Sequence, residues 1–413
     1  MEQLITPIKH LQKPLEIGDI TLRNRFGMSS VSRNRADGTY PNALNGEYFY
    51  QRALGGAGFI CAGGALIEPQ GTAMRETPQI DTHEHMLAWR RVVDRVHEVP
   101  GAVFYCQLWH CGRMTYQDAK IQKEYGKPTI APSAIQARMG IAPDNDGVYD
   151  LEPGLDKGYS KPTAIENPKD VIEQFRRSAI LAKEAGFDGV ELHGANGYLV
   201  SQFLDDTANI RTDDYGGSVE NRARFALECI DALVEVWGPK KVGIKLSPAT
   251  GRGDLGMPVE RQIEQFTYLI RELDKRPLAH VHTLWTEGAV PANQRTEWMD
   301  MEVDGKMRGP LHPVWATYRH LIKNAKVFLN GAISLIEAEE LLKDGTGDLI
   351  IFGRPWLVNP DFASAAIAGK EKELQFEYNF DYFAQYPIGD PAKGYTDYPF
   401  ITKPDYKAPG LKT

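Results

Sequence analysis

Eight short runs of apolar, β-rich residues recur along this chain, and most are followed by a stretch with helical periodicity. The runs are residues 25–31, 58–66, 102–108, 189–193, 242–246, 279–285, 326–330 and 349–352. One helical stretch repeats apolar side chains every three or four residues, at Val219, Ala223, Ala226, Ile230, Leu233 and Trp237. Parallel strands joined by crossover helices produce this alternation. Eight of them predict an α/β fold of the (β/α)8 TIM-barrel type.

An open, doubly wound parallel sheet is the alternative architecture. Such a sheet typically carries Gly-x-Gly-x-x-Gly after its first strand, and no such motif follows the first run. The closed barrel is therefore favoured, as one domain over residues 1–413 with a C-terminal tail from about residue 370 packed on it. Residues 110–168 and 293–310 are too long for simple connections, so we expect them to be insertions on the catalytic face.

The charge balance excludes large polyanionic partners. The chain has 47 basic and 55 acidic residues, a net charge of −8, so no positive field attracts nucleic acid or an anionic membrane. No apolar run reaches the roughly 18 residues of a transmembrane helix, and residues 1–13 lack the apolar core of a secretory signal. Four cysteines without a Cys-x-x-Cys pair indicate a reducing compartment. We expect a cytoplasmic monomer or homodimer that acts on a small molecule.

Alternation along the strands predicts which polar side chains point into the barrel. In the fifth strand the branched residues share one parity and Lys245 has the other, and the same test turns Glu191 and His193 inward. The third strand directs Gln107 and Trp109 to the interior or the mouth. Inward polar groups need a polar ligand or each other. A structural network, such as an ion pair of Lys245 with Glu191, is the alternative, but three converging strand ends favour a site.

The last two barrel turns carry glycines, Gly331 and Gly353, and the second turn continues with Arg354. The loops after strands seven and eight are the recurrent phosphate site of TIM barrels, because glycine lets backbone N–H groups approach an anion. A guanidinium adds a planar fork that suits phosphate oxygens. The two turns together predict a phosphorylated cofactor or substrate.

Two histidine pairs, His83-x-His85 and His280-x-His282, are candidate metal ligands. Neither pair has an acidic partner or a third histidine placed by the sequence, so surface or strand positions are favoured. We predict no metal site.

Longer motifs run through nearly the whole predicted barrel. They are Asn24-Arg25, Gln107-Leu108-Trp109-His110-x-Gly112-Arg113, the blocks at 185–199 and 209–222, and Phe352-Gly353-Arg354-Pro355 with Asn359-Pro360-Asp361. On these motifs, of which the 185–199 block is the most specific, the sequence resembles the old yellow enzyme family of flavin-dependent ene-reductases.

The resemblance implies a barrel that binds FMN non-covalently at its mouth, oxidises NADPH or NADH, and reduces α,β-unsaturated aldehydes, ketones and nitroalkenes. Hydride would pass from flavin N5 to the β-carbon. His193 and Asn196 would bind the substrate oxygen, Tyr198 would protonate the α-carbon, and Trp109 would contact the substrate. The resemblance further implies FMN contacts at Ser30, Ser32, Gly64, Gln107, Lys245, Gly331, Gly353 and Arg354.

The chain departs from the family at several of these positions. Ser30 and Ser32 stand where the family commonly has Pro and Thr, and Lys245 stands where it usually has Arg. Ser32 keeps a hydroxyl for flavin O4, whereas an ammonium at 245 keeps the charge but loses the planar two-point grip. The segment at 394–399 resembles the C-terminal segment of the yeast and plant branch, whose tyrosine caps the active site. Tyr395 is therefore the expected lid residue.

The sequence leaves two other functions open. An inward lysine suits a flavin-free lyase or aldolase in which Lys245 forms a Schiff base. A flavin- or small-molecule-binding barrel with little turnover is the second, although Tyr198, His193 and Asn196 argue against it.

Overall fold

The computed structural model describes residues 7–72, 74, 76–117, 119–137, 159–284, 301–303, 306–308, 312–379 and 389–409. The strands in chain order are β1 (Leu15–Ile17), β2 (Ile20–Leu22), β3 (Phe26–Met28), β4 (Phe59–Cys61), β5 (Ala65–Leu66), β6 (Phe104–Trp109), β7 (Ile130–Ala131), β8 (Thr163–Ala164), β9 (Gly189–Gly194), β10 (Val242–Leu246), β11 (His280–Leu284), β12 (Met301–Val303), β13 (Lys306–Arg308), β14 (Lys326–Asn330) and β15 (Leu349–Phe352). The helices are α1 (Ala43–Leu54), α2 (His83–His97), α3 (Lys120–Tyr125), α4 (Pro168–Ala185), α5 (Leu199–Leu204), α6 (Val219–Trp237), α7 (Val259–Asp274), α8 (Val314–Tyr318), α9 (Leu335–Lys343), α10 (Pro355–Val358) and α11 (Phe362–Ile367).

Eight parallel strands close into a barrel. The strands β3, β4, β6, β9, β10, β11, β14 and β15 pair in this order, and β15 pairs back to β3 with Phe352 opposite Met28. Each predicted run contributes one of these strands, so the TIM-barrel prediction is confirmed; Trp285, at the end of the sixth run, lies outside the described residues. The second run is split into β4 and β5 around Gly63 and Gly64, because glycine weakens a strand interior.

The fourth helix shows how local sequence sets the crossovers. The Asn167 side chain caps α4 by accepting from the Lys169 N–H at 3.2 Å, and Pro168 fills the first turn, where a missing N–H costs nothing. Gly186 ends the helix in the left-handed region, at φ 94°. The apolar face of α4, which includes Phe175, packs against α2 and α6.

The interior of the barrel is filled near the amino ends of its strands. There the antiparallel β1–β2 hairpin buries its apolar residues against inward side chains of the barrel. This inner core contains Leu15, Ile17, Leu22, Phe59, Cys61, Val103, Tyr105, Phe328, Leu349 and Ile351. The opposite parity of the strands packs outward against the helices in a second, larger core. Because apolar side chains fill the amino-terminal half, the carboxyl-terminal mouth is where a ligand fits.

The predicted insertions are described only in part. In the 110–168 insertion, α3 and the short parallel pair β7–β8 are described, whereas residues 138–158 lie outside the described part of the chain. In the 293–310 insertion, only the β12–β13 hairpin is described. Of the expected C-terminal tail, residues 380–388 and 410–413 lie outside the described residues. Within the described ranges, no helix has the length and apolar character needed to cross a bilayer.

Candidate active site

One cavity of about 290 Å³ lies where the barrel strands end. It is lined by Ser29, Ser30, Val31, Ser32, Gly64, Met74, Gln107, Trp109, His193, Asn196, Tyr198, Lys245, Arg252, Leu284, Asn330 and Arg354. The cavity thus brings together most of the site residues predicted from the sequence. Gly331, Gly353 and Tyr395 are not among the described residues that line it.

The turn after β9 carries three of the predicted residues. Asn196 and Gly197 both have left-handed backbones, at φ 59° and 76°, and the Asn196 N–H donates to Ser247 Oγ at 2.8 Å. Asparagine is one of the few side chains that tolerate this conformation. The turn lets the chain leave the strand at His193 and enter α5 at Tyr198 while both side chains line one cavity.

His193 is a neutral hydrogen-bond donor. Its side chain is buried, and burial, followed by the positive charge of Lys245, lowers its pKa well below the ordinary value. The Ala195 N–H donates to His193 Nδ1 at 3.3 Å, which makes Nδ1 the acceptor and leaves the proton on Nε2. The Nε2–H is therefore the group that His193 can offer to a ligand.

Three aromatic rings pack together on one wall of the cavity. The Tyr198 ring lies edge-on to Trp109 at 4.8 Å and to His193 at 5.0 Å between centroids, while Trp109 stacks on His193 at 6.0 Å. A Cβ added to Gly64 would lie only 2.7 Å from Trp109 Cε3. In this structure the tryptophan ring is thus itself a reason for glycine at 64, beside the FMN contact that the resemblance implies.

A buried polar network lies behind the cavity wall. The fully buried Glu191 accepts from His280 Nε2 at 2.9 Å and His282 Nδ1 at 3.0 Å through one oxygen, and from Gln107 Nε2 at 2.7 Å through the other. Gln107 Oε1 in turn accepts from Ser30 Oγ at 2.5 Å. Glu191 therefore fixes the orientation of the Gln107 amide, with its carbonyl oxygen on the side of Ser30.

The charge state of this network follows from its hydrogen bonds. Burial alone would raise the pKa of Glu191, but the two histidines that donate to it hold that pKa well below its usual range. Burial lowers the pKa of His282 to about 4. At neutral pH the network therefore contains an ionised Glu191 carboxylate and a neutral His282 imidazole.

The structure corrects the sequence interpretation of the second histidine pair. His280 and His282 do have an acidic partner, Glu191, which a neighbouring region of the barrel contributes and which sequence spacing cannot reveal. Among the described residues, no group of His, Cys, Asp and Glu side chains has an arrangement that could hold a metal ion.

Lys245 lines the cavity as a buried cation. Its side chain is 3% exposed, and no described residue forms a hydrogen bond or an ion pair with Nζ. The alternative of an ion pair with Glu191 is thus not what the structure has, because His280, His282 and Gln107 occupy that carboxylate. Burial lowers the pKa of Lys245, and the negative charge of Glu191 opposes the shift.

The side of the cavity at the end of β15, across the barrel from β9, fits a phosphate. Arg354 lines it, and a Cβ added to Gly353 would meet nothing nearer than Ser29 Cβ at 3.8 Å. Neither protein packing nor a positive φ therefore demands glycine at 353. Within the described residues, the backbone N–H groups of Gly331 and Gly353 form no hydrogen bond. Open backbone donors beside a guanidinium suit an anion, so the donor set fits the phosphate and polar edge of FMN.

Tyr395, the expected lid residue, is buried and is not among the described residues that line the cavity. It is 1% exposed, its ring stacks on Tyr48 at 4.2 Å, and its hydroxyl accepts from Asn45 Nδ2 at 3.0 Å. The guanidinium groups of Arg33 and Arg35 lie 5.0 and 5.6 Å from its ring centroid. The tyrosine instead anchors the C-terminal segment against α1.

Sequence reasoning missed Arg252, Met74 and Asn330, which also line the cavity. Arg252 lies in the loop after β10, with its guanidinium carbon 5.7 Å from the centroid of the Tyr198 ring. An arginine between two glycines, in a loop that follows a barrel strand, is the signal that could have identified it. No such signal marks Met74 in the sequence.

Comparisons with known proteins match the whole barrel. The family model of the NADH:flavin oxidoreductase / NADH oxidase family matches residues 10–373. The chain is 34% identical to 12-oxophytodienoate reductase 1 of Oryza sativa subsp. japonica over 400 residues, which cover 96% of this chain and 94% of the relative.

Solved structures agree with that match. A structure of morphinone reductase in complex with tetrahydroNAD is similar with a TM-score of 0.79 and 34% identity, covering 95% of this chain and 98% of the other. The old yellow enzyme homologue from Zymomonas mobilis is similar with a TM-score of 0.80 and 28% identity, covering 95% and 100%.

Proposed function

The chain belongs to the NADH:flavin oxidoreductase / NADH oxidase family, that of the old yellow enzymes, and on this premise we propose that it reduces α,β-unsaturated aldehydes, ketones and nitroalkenes. It is an FMN-dependent ene-reductase that takes its electrons from NADPH or NADH. The observation that supports the substrate class is the single cavity into which His193, Asn196 and Tyr198 all project.

The chemistry supplied by bound FMN is two-electron transfer from the nicotinamide to the β-carbon of the alkene. We assign its polar ring edge to Gln107, Ser30, Ser32 and Lys245, which line the cavity together. The phosphate is assigned to Arg354 and to the backbone of Gly331 and Gly353.

His193 and Asn196 stabilise the charge that grows on the substrate oxygen. The neutral His193 presents Nε2–H, and the Asn196 side-chain amide offers an N–H from a turn whose backbone is already fixed by the bond to Ser247 Oγ. Preorganised donors of this kind are worth about 3 kcal/mol of transition-state stabilisation each.

Tyr198 delivers the proton to the α-carbon. A phenol is protonated at neutral pH and can donate within hydrogen-bond reach of the reacting atom. The packing of Trp109 and His193 against its ring holds the phenol in place. Loss of a positioned general acid typically slows a step by about 10²- to 10⁴-fold.

An anaerobic titration tests the proposal. Purified protein should be yellow and release FMN on denaturation, NADPH or NADH should bleach it, and 2-cyclohexenone should restore the colour. Colourless protein that is trapped by borohydride with a carbonyl ligand would instead favour a Schiff-base lyase at Lys245, whose pKa burial lowers. Bleaching without recolouring by any enone or nitroalkene would contradict the ene-reductase assignment.

We further propose that the enzyme works in the cytoplasm as a monomer or homodimer. The free, buried state of Cys61, Cys106, Cys111 and Cys229 supports a reducing compartment. Light scattering of the purified protein and fractionation of cells that contain it would test the two statements.

A further inference from the structure

The charged side chains among the described lining residues of the cavity are all cationic. Lys245, Arg252 and Arg354 all line it, and no described lining residue carries a carboxylate. The proposed function uses Lys245 for the polar ring edge of FMN and Arg354 for its phosphate. Arg252 is left with no role in that scheme, although it faces the same cavity as the proton donor.

Arg252 lies beside the reacting end of the site. Its guanidinium carbon is 5.7 Å from the centroid of the Tyr198 ring, a cation–π distance. Together with burial and the charge of Lys245, its positive charge helps to lower the pKa of His193. A substrate whose oxygen meets His193 and whose α-carbon meets Tyr198 therefore passes close to this cation.

The loop that carries Arg252 is held on both sides. On one side, the buried Arg113 donates through Nη2 to Gly253 O at 2.8 Å and Asp254 O at 2.9 Å. On the other, the loop packs on the Asn196–Tyr198 turn so closely that a Cβ on Gly197 would lie 2.1 Å from Arg252 O. The backbone of Arg252 is thus fixed relative to the proton donor, as a positioned binding group requires.

We propose that Arg252 is a specificity residue that binds a carboxylate on the substrate, so that the preferred substrates are α,β-unsaturated carbonyl compounds bearing an anionic side group. This inference rests on the proposed function and adds the substrate class to it. A guanidinium pairs with a carboxylate through two parallel N–H···O bonds.

The test uses two substrates that differ only in charge: a cyclic enone with a carboxymethyl substituent and its methyl ester. Wild-type enzyme should favour the acid in kcat/KM. Arg252→Gln should reduce the acid-to-ester ratio by about 10- to 100-fold, mainly through KM, because a charge-assisted hydrogen bond is lost. Arg252→Lys should keep part of the preference. Arg177→Gln, on the exposed face of α4, is the matched control and should keep the wild-type ratio.

Binding without turnover gives a second readout. The saturated acid and ester products should perturb the flavin spectrum with dissociation constants that show the same preference, and Arg252→Gln should remove it. FMN content and melting temperature of each variant exclude a folding defect as the cause.

Each other outcome overturns the inference. If Arg252→Gln leaves the acid-to-ester ratio of kcat/KM unchanged, Arg252 does not bind the substrate carboxylate. If this variant also slows flavin reduction by NADPH or NADH, the guanidinium binds a phosphate of the dinucleotide instead. Wild-type enzyme that reduces the ester but shows no preference for the acid refutes this inference alone. Enzyme that reduces neither compound nor any neutral enone refutes the proposed function as well.

Discussion

Replacing Lys245 with methionine removes a buried cation that faces the polar edge assigned to FMN. The ammonium is 3% exposed, lines the cavity and has no hydrogen-bond or ion-pair partner among the described residues, so its charge is available to the cofactor. A hydrogen bond to a charged group contributes about 1.5 to 3 kcal/mol. If this contact strengthens when the flavin gains negative charge on reduction, the two-electron potential of Lys245→Met should fall by about 30 to 65 mV, at roughly 30 mV per 1.4 kcal/mol.

The same substitution should not destabilise the apoprotein, although it weakens the binding of FMN. A buried charge without a partner is costly, and an apolar side chain of similar length removes that cost. We therefore expect apo Lys245→Met to melt at the wild-type temperature or above while binding FMN more weakly. Potentiometric titration with a reference dye measures the potential, and fluorescence titration of apoprotein measures FMN affinity.

Two variants control the interpretation. Lys245→Arg keeps the charge and should keep most of the potential, whereas a Schiff-base enzyme would lose activity in both variants because neither side chain forms an imine. Lys240→Met removes an exposed lysine near the other end of β10 and should change neither readout. An unchanged potential in Lys245→Met would refute the assignment of this lysine to the flavin.

Three further predictions concern neighbouring residues. Tyr198→Phe should slow alkene reduction by about 10²- to 10⁴-fold and leave flavin reduction nearly intact in stopped-flow measurements, and equal slowing of both half-reactions would contradict the proton-donor role. Alanine at both His193 and Asn196 should abolish the long-wavelength charge-transfer band of bound para-substituted phenolates while FMN stays bound; a surviving band would contradict their assignment. His282 should make the free energy of unfolding fall as the pH drops from about 6.5 to about 4. In this range His282 is protonated in the unfolded chain but stays neutral in the folded chain, where burial lowers its pKa. His282→Asn should flatten that part of the denaturation profile by up to about 1.4 kcal/mol per pH unit, and identical slopes would argue against it.

The parts of the site that follow from local sequence were predictable. Strand parity placed Lys245, His193 and Gln107 on the inner face, because alternation along one strand needs no knowledge of its neighbours. The glycine-rich turns after β14 and β15 were likewise recognisable from their order along the chain.

Relations between distant segments were not predictable. The bonds from His280 and His282 to Glu191 depend on the register between β9, β10 and β11, which the sequence of any one strand does not contain. Tyr395 matched a motif, but whether a tail tyrosine lies over a cavity or against α1 depends on its packing with Tyr48, Arg33 and Arg35. The position of Arg252 at the cavity depends on how the loop after β10 packs against the Asn196–Tyr198 turn.

The left-handed backbone at Asn196 restricts which sequences can evolve or be selected at this position. A side chain there must tolerate φ 59° and also offer an N–H to a substrate oxygen. Asn, Asp and His are the residues most often found in that region besides glycine, and of these only Asn and His donate an N–H at neutral pH. Saturation mutagenesis at 196 should therefore recover active enzyme with histidine as the main substitute. Homologues should likewise carry asparagine or histidine at this position more often than other polar residues.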